Sequence, residues 1–304
     1  ASLVLAGREA GDRDQDCGAA VLHFAHAYRG YIRYGCELTA LECARLQIHR
    51  HKEALPVASA LHKAARATPQ ENLAKLSHKK GKNEWVFRQA KPLLFRVEKR
   101  EQKLVLDSLA AYRTTLAVER RHLLDAYHPV DVAFKVVGTG SVGVRDYVVL
   151  CFGRGEDDPL FLQVKEEPPS CYGPQLSKAA RRSDHQGERV VEGQRLMQAQ
   201  SDLLLGWTSM EGRDYLVRQL SDHKGSIEIE DLKGDGLLQY AGICGEVLAK
   251  GHARSGNPCA IAGYLGESER FDAALKDFAL AYADEATKDY HRFLRALKAG
   301  TLVP

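Results

Sequence analysis

The residues best suited to chemistry are three glycines, Gly138, Gly140 and Gly143, set in KVVGTGSVGVRDYVVL (135–150) between two runs that read as β-strand. Their G-x-G-x-x-G spacing suits a loop that lies against phosphates, because a backbone without Cβ atoms approaches an anion closely. Lys165 follows at the end of the apolar run LFLQV, and the next helical stretch carries Glu188 and Glu192 one turn apart. A lysine on a rigid strand neutralises phosphate charge, whereas a mobile ammonium would lose entropy at each binding event. A helical carboxylate can hold it in place, and Glu192, set among Val190, Val191 and Leu196, is the preferred one.

The order of the parts separates two meanings of the glycine spacing. A dinucleotide fingerprint runs strand, glycine turn, helix, so that the helix N-terminus meets the pyrophosphate. Here the residues after Gly143 alternate as a strand. A strand, glycine loop, strand hairpin followed by a strand lysine and a helical glutamate is instead the form of the protein-kinase phosphate-covering loop. On this reading Gly138, Gly140, Ser141 and Gly143 offer N–H groups to the β- and γ-phosphates of ATP, Lys165 neutralises charge, and Glu192 positions Lys165. The run DYLVRQL (214–220) then leads to a linker where backbone groups near Gln219 and Leu220 meet an adenine edge. There is one departure: the kinase loop places valine two residues after its last glycine, and this chain has Val144 and then Arg145.

Each feature also has a plain reading. Glycines between strands can build a tight or bulged hairpin, a strand-ending lysine before Glu166 and Glu167 can be a solvated edge, and a helical glutamate can be a surface residue. Their joint order favours the phosphate site. Other candidates are weaker: His49 and His51 in IHRH fall on different helix faces, so no metal pair is expected there. His252 in KGHARSGN sits near a helix end, where a histidine can simply meet the dipole. Neither GWTSMEG nor GTGSVG has the form of a nucleophile elbow.

The elements that must position these residues follow from periodicity. Residues 1–128 read as mostly helical, with apolar positions every three to four residues in 17–35, 37–51 and 104–127, and with a lysine-rich stretch at 69–92 that reads as loop with one short helix. At His128-Pro129 the pattern changes to alternation. A β-rich region, 129–232, then holds strands in 130–138, 144–153 and 159–167, a helix near 185–205 and a strand at 214–220. Residues 233–304 return to helix.

Bulk properties narrow the partners. The chain has 304 residues, 44% hydrophobic and 27% charged, enough for one large core or two smaller ones. No apolar stretch approaches the roughly 20 residues that crossing a bilayer takes, so no membrane partner is expected. A formal net charge of +3 is too mild to imply a nucleic-acid partner, and HKKGK (78–82) and KREQK (99–103) read as solvated surface. Seven cysteines without a C-x-x-C pair argue against a zinc ribbon or a disulfide framework. The expectation is reduced thiols in a cytoplasmic protein.

Five segments, VDVAFKVVGTGSVGVRDYVVL, PLFLQVKEEPPS, HQGERVVEGQRLMQAQSDLLLGW, GRDYLVRQLSDHKGS and CGEVLAKGHARSG, occur in an order that resembles the bacterial domain-of-unknown-function family 2252, essentially end to end. Members of that family carry further N-terminal segments, a Gly-Asp-x-His-x-x-Asn and an Asp-Phe-Asp, that are similar to a kinase catalytic loop and metal-binding motif. They precede a stretch similar to ASLVLAGRE. The resemblance implies an α+β, protein-kinase-like fold of the aminoglycoside-phosphotransferase kind. A small antiparallel sheet lobe and a mainly helical lobe would then be joined in circularly permuted order. It implies the nucleotide-binding part of an ATP-dependent phosphotransferase with an unassigned small-molecule acceptor. Mg²⁺ is the expected cofactor, with its acidic ligands in the segments this chain lacks, and the polypeptide alone is expected to lack turnover. HARSGN (252–257) and KGDG (233–236) do not replace those segments. The alternative is a non-catalytic module, pseudokinase-like or helical, that docks a protein through helices such as AVERRHLLDAYH (117–128).

Overall fold

The computed structural model describes residues 1–45, 55–66, 68–81, 84–138, 142–176, 183–198, 200–220 and 225–301. In chain order the elements are α1 (Ser2–Ala10), α2 (Asp14–Glu37), α3 (Ala40–Arg45), α4 (Leu55–Arg66), α5 (Pro69–Leu76), β1 (Ser77–Lys80), β2 (Glu84–Phe87), β3 (Leu94–Arg96), α6 (Lys99–Thr114) and α7 (Val118–Leu124). There follow β4 (His128–Lys135), β5 (Asp146–Phe152), β6 (Pro159–Glu166), α8 (Gln186–Met197), β7 (Gly206–Met210), β8 (Arg213–Gln219), α9 (Asp235–Ser255), α10 (Pro258–Leu265) and α11 (Arg270–Lys298). The fold is α+β, and its chain packs into two compact units, residues 1–63 with 225–304 and residues 64–224.

The discontinuous unit is helical. Local chemistry starts its elements: Asp14 and Asp16 face the N-terminal dipole of α2, and α10 opens with Pro258 behind an Asn257 side chain that accepts from the Ala260 N–H. Small residues let α2 and α9 lie close together: a Cβ on Gly35 would press on Ala253, one on Gly242 would overlap His23, and one on Gly245 would overlap the Phe24 carbonyl. Val4, Val21, Leu237, Ala279 and Ala283 complete the core where α1, α2, α9 and α11 meet. Cys36, at the end of α2, and Cys259, in α10, form a disulfide. This corrects the expectation of reduced thiols for that pair, which the spacing of the two cysteines could not reveal; Cys17, Cys43, Cys151, Cys171 and Cys244 are free.

The other unit is built on a six-stranded sheet in the order β3-β4-β5-β6-β8-β7, every pairing antiparallel, with β1 and β2 as a separate hairpin. Alternation along the strands gives the sheet two different faces. On one, Val132, Tyr147, Val149, Leu162, Val164 and Val217 pack against Val105 and Tyr112 of α6. On the other, Ala133, Val148, Leu150 and Phe161 lie beneath Leu73 of α5 and Phe87 of β2. That face also holds Leu216, against Val191 of α8.

Several local expectations change. Residues 69–92, read as loop with one helix, contain α5 and the β1–β2 hairpin, and GWTSMEG contains β7. The single helix read over 104–127 is broken between α6 and α7, and α8 ends at Met197. The helix read over 37–51 is described only as α3; His49 and His51 lie outside the described residues.

Candidate functional site

The β4–β5 hairpin carries the glycine loop between Lys135 and Asp146. Gly138 (φ 71°) and Gly143 (φ 86°) take the left-handed backbone that a Cβ would penalise. Gly140 and Ser141 lie outside the described residues. Lys165 is paired in register with Asp146, the first β5 residue after the loop, so it stands at the loop end of the sheet. On its other side Lys165 pairs with Leu216, whose side chain packs on α8. Directly opposed residues of an antiparallel pair point to the same face. Asp146, Lys165, Leu216 and α8 therefore share one face.

The carboxylate beside the lysine is a different one. Lys165 Nζ lies 3.2 Å from Glu167 Oε1, with the lysine side chain 25% exposed. Glu167 is well placed for this because its backbone N–H donates to the Asp214 carbonyl at 2.9 Å, which continues the strand by one more bond. Among the described residues Lys165 forms no ion pair with Glu192 or Glu188. Glu192 is partly buried and acts on the charge of Arg195 on its own helix, while the Glu188 carboxylate accepts from Ser183 Oγ. The expected Lys165–Glu192 pair is thus not formed in this structure.

Next to Lys165 runs a buried polar strip that the sequence reading passed over. Gln163 Nε2 donates to both oxygens of Asp146, at 3.0 and 2.8 Å, and Arg218 Nε donates to Gln163 Oε1 at 2.8 Å. Asp146 and Gln163 are each 1% exposed. Burial pushes the Asp146 carboxyl up to about 6, against the opposing pull of the Gln163 hydrogen bond and of the charges on Lys165, Arg218 and Lys135. Lys165, Arg218 and Lys135 thus all act on this one buried carboxyl. A glutamine inside the apolar run PLFLQVK was the available signal: a polar residue buried in a strand needs partners on neighbouring strands.

Arg145, where a kinase loop has valine, belongs to the opposite face. It lines a cavity of about 270 Å³ with Glu98, Glu101, Tyr147 and Tyr215, and its N–H donates to the Glu166 carboxylate at 3.1 Å. It leaves the Lys165 face clear.

The helix that borders the site is pinned at its N-terminus. His185 caps it, Nδ1 accepting from the Glu188 N–H at 3.1 Å, and the Asp214 carboxylate of β8 accepts from the Gln186 N–H at 2.8 Å. Gly187 lies against the Tyr215 carbonyl so closely that a Cβ would overlap it.

One further expectation meets the geometry differently. The Gln219 N–H donates to the Asp202 carboxylate, and the Leu220 N–H donates to the Phe161 carbonyl at 2.7 Å, so these donors are engaged and do not meet an adenine edge. The carboxylates at hand do not fit a magnesium ion. Both Asp146 oxygens are held by Gln163, Glu167 is held by Lys165, and no group of three His, Cys, Asp or Glu side chains among the described residues is arranged to bind a metal.

No helix among the described residues is long and apolar enough to cross a membrane. Comparison with curated proteins and with solved structures finds no match. The family model does match, over residues 1–296, the stretch that includes the glycine hairpin, the strip and α8: the chain belongs to the family described as "Uncharacterized protein conserved in bacteria (DUF2252)".

Proposed function

We propose that this chain is the nucleotide-binding part of an ATP-dependent phosphotransferase acting on a small molecule, with a protein-kinase-like fold in circularly permuted order. One observation carries the reading: Lys165 stands in register beside the loop end of β5, on the face covered by α8. Hairpin, lysine strand and helix thereby occur both in the order and on the side that a phosphate-covering loop requires. In this role the glycine loop lies over the β- and γ-phosphates, Lys165 neutralises them, and Lys135 and Arg218 extend the positive field. Glu167 holds the ammonium while the site is empty. Glu192 takes over only if α8 turns toward the strand when the phosphates arrive. Magnesium, when supplied with ATP, screens phosphate charge, and this chain's residues contribute binding and positioning.

Thermal unfolding with and without millimolar Mg-ATP tests the reading. The midpoint rises with nucleotide in the wild type, the rise is lost in Lys165→Ala, and it is reduced in Glu192→Gln if the helix takes part. An unchanged wild-type midpoint refutes nucleotide binding and favours the second reading, a non-catalytic interaction module. The observation on that side is the row Phe278, Tyr282, Tyr290, Phe293 and Leu297 along α11, each more than half exposed.

A further inference from the structure

Asp272, in the first turn of α11, is 4% exposed, and its Oδ1 has no hydrogen-bond partner. Arg29 of α2 meets it through one nitrogen: Nη2 lies 2.8 Å from Oδ2, Nη1 donates to the Ser268 carbonyl at 2.8 Å, and Nε has no acceptor. Oδ1 is thus left over. The same carboxylate lines a cavity of about 270 Å³ between α2, the start of α11 and Leu238 of α9. Glu269, at the N-cap of α11, supplies a second carboxylate to it and forms no ion pair among the described residues.

The positive end of α11 accounts for two acidic side chains here. It does not account for a carboxylate oxygen sealed from water without a donor, which forfeits its hydration. The cavity supplies the missing space, since a water takes about 30 Å³ and there is room for a small organic molecule. No lysine or arginine among the described residues lines it, and Ala19, Leu22 and Leu238 give it an apolar wall. His23 and His26 of α2, both exposed, add ring nitrogens at the rim. A bare metal ion does not suit this set, because no group of three His, Cys, Asp or Glu side chains among the described residues is arranged to bind one. An ammonium does: its N–H groups reach separate acceptors, and an alkyl chain attached to it can lie on the wall.

We propose that this cavity binds the protonated amino group of a small alkylamine, independently of the nucleotide reading. The ammonium donates to Asp272 Oδ1 and to Glu269, and the alkyl chain lies on Leu22 and Leu238. The probe is butylammonium chloride, titrated at constant ionic strength against sodium chloride, with the unfolding midpoint and saturation transfer from the protein to the butyl protons as readouts. The wild type is expected to show a saturable rise in midpoint and a transfer signal, neither of which butanol gives. Asp272→Asn should weaken binding about tenfold or more, through loss of a charge-assisted hydrogen bond. Glu269→Gln should weaken it several-fold, and Glu285→Gln, elsewhere on α11, should bind as the wild type. Should Asp272→Asn fail to fold, Leu238→Lys carries the test: Leu238 is 36% exposed, and a lysine there places a competing ammonium in the cavity and is expected to abolish binding. The proposal is overturned if butylammonium does no more than sodium or butanol, which leaves the cavity to water, or if Asp272→Asn or Leu238→Lys keeps the full effect. Equal effects of Glu269→Gln and Glu285→Gln also overturn it, because the cation is then held by the general charge of α11.

Discussion

Asp146 shows how much a single buried carboxyl can say about a site. Its folded value of about 6 lies above its ordinary 3.8, so between those two pH values the native state binds more protons than the unfolded chain. Stability contributed by this group therefore falls as pH rises from about 4 to about 6 and is flat above, a loss on the order of 3 kcal/mol. Denaturant titrations across that range should show this component of the slope in the wild type and not in Asp146→Asn. An identical pH dependence in the two proteins would contradict the burial argument. Cys151 makes a simpler case: burial pushes its thiol up to about 12, so maleimide applied to the native protein should modify the exposed Cys171 and leave Cys151 unlabelled. Lys165 was readable in the sequence because an apolar run stops on it. Asp146 was not, since it is one polar position inside the strand read over 144–153, and only the register with β6 reveals that it is sealed against Gln163.

The position of α8 decides whether the strip has a helix beside it. Gly187 touches the Tyr215 carbonyl, so Gly187→Ala should force the helix off the sheet and destabilise by about 1–3 kcal/mol. Gly193, on the same helix, has open space where a Cβ would go, and Gly193→Ala should be neutral or stabilising by up to about 1 kcal/mol. Equal effects of the two substitutions in chemical denaturation would show that the contact does not hold the helix. Periodicity revealed α2, α8, α9, α11 and the strands β4, β5, β6 and β8, all long enough for a pattern to repeat. It missed β1, β2, β3 and β7, which have three to five residues each. SHKK in β1 has no apolar alternation at all, and becomes a strand because EWVF pairs with it.

At the scale of the whole molecule, the chain leaves its helical unit at residue 63 and returns at residue 225. No composition change marks the first crossing, because α6, which packs on the sheet, has the same apolar period as the helices of the other unit. The Cys36–Cys259 bond closes a loop with a sequence separation of 223 residues, spanning that excursion. Reduction, or Cys36→Ser, should lower the stability of the helical unit by about 2–5 kcal/mol, read from denaturant unfolding with and without reductant. The central claim is that the Lys165 face of the sheet holds the phosphates of a nucleotide. Calorimetric titration of the wild type with Mg-ATP tests it most directly, beside the same titration of Lys165→Ala. The prediction is a saturable binding heat in the first and its loss in the second; no heat in either, or the same heat in both, would contradict the account.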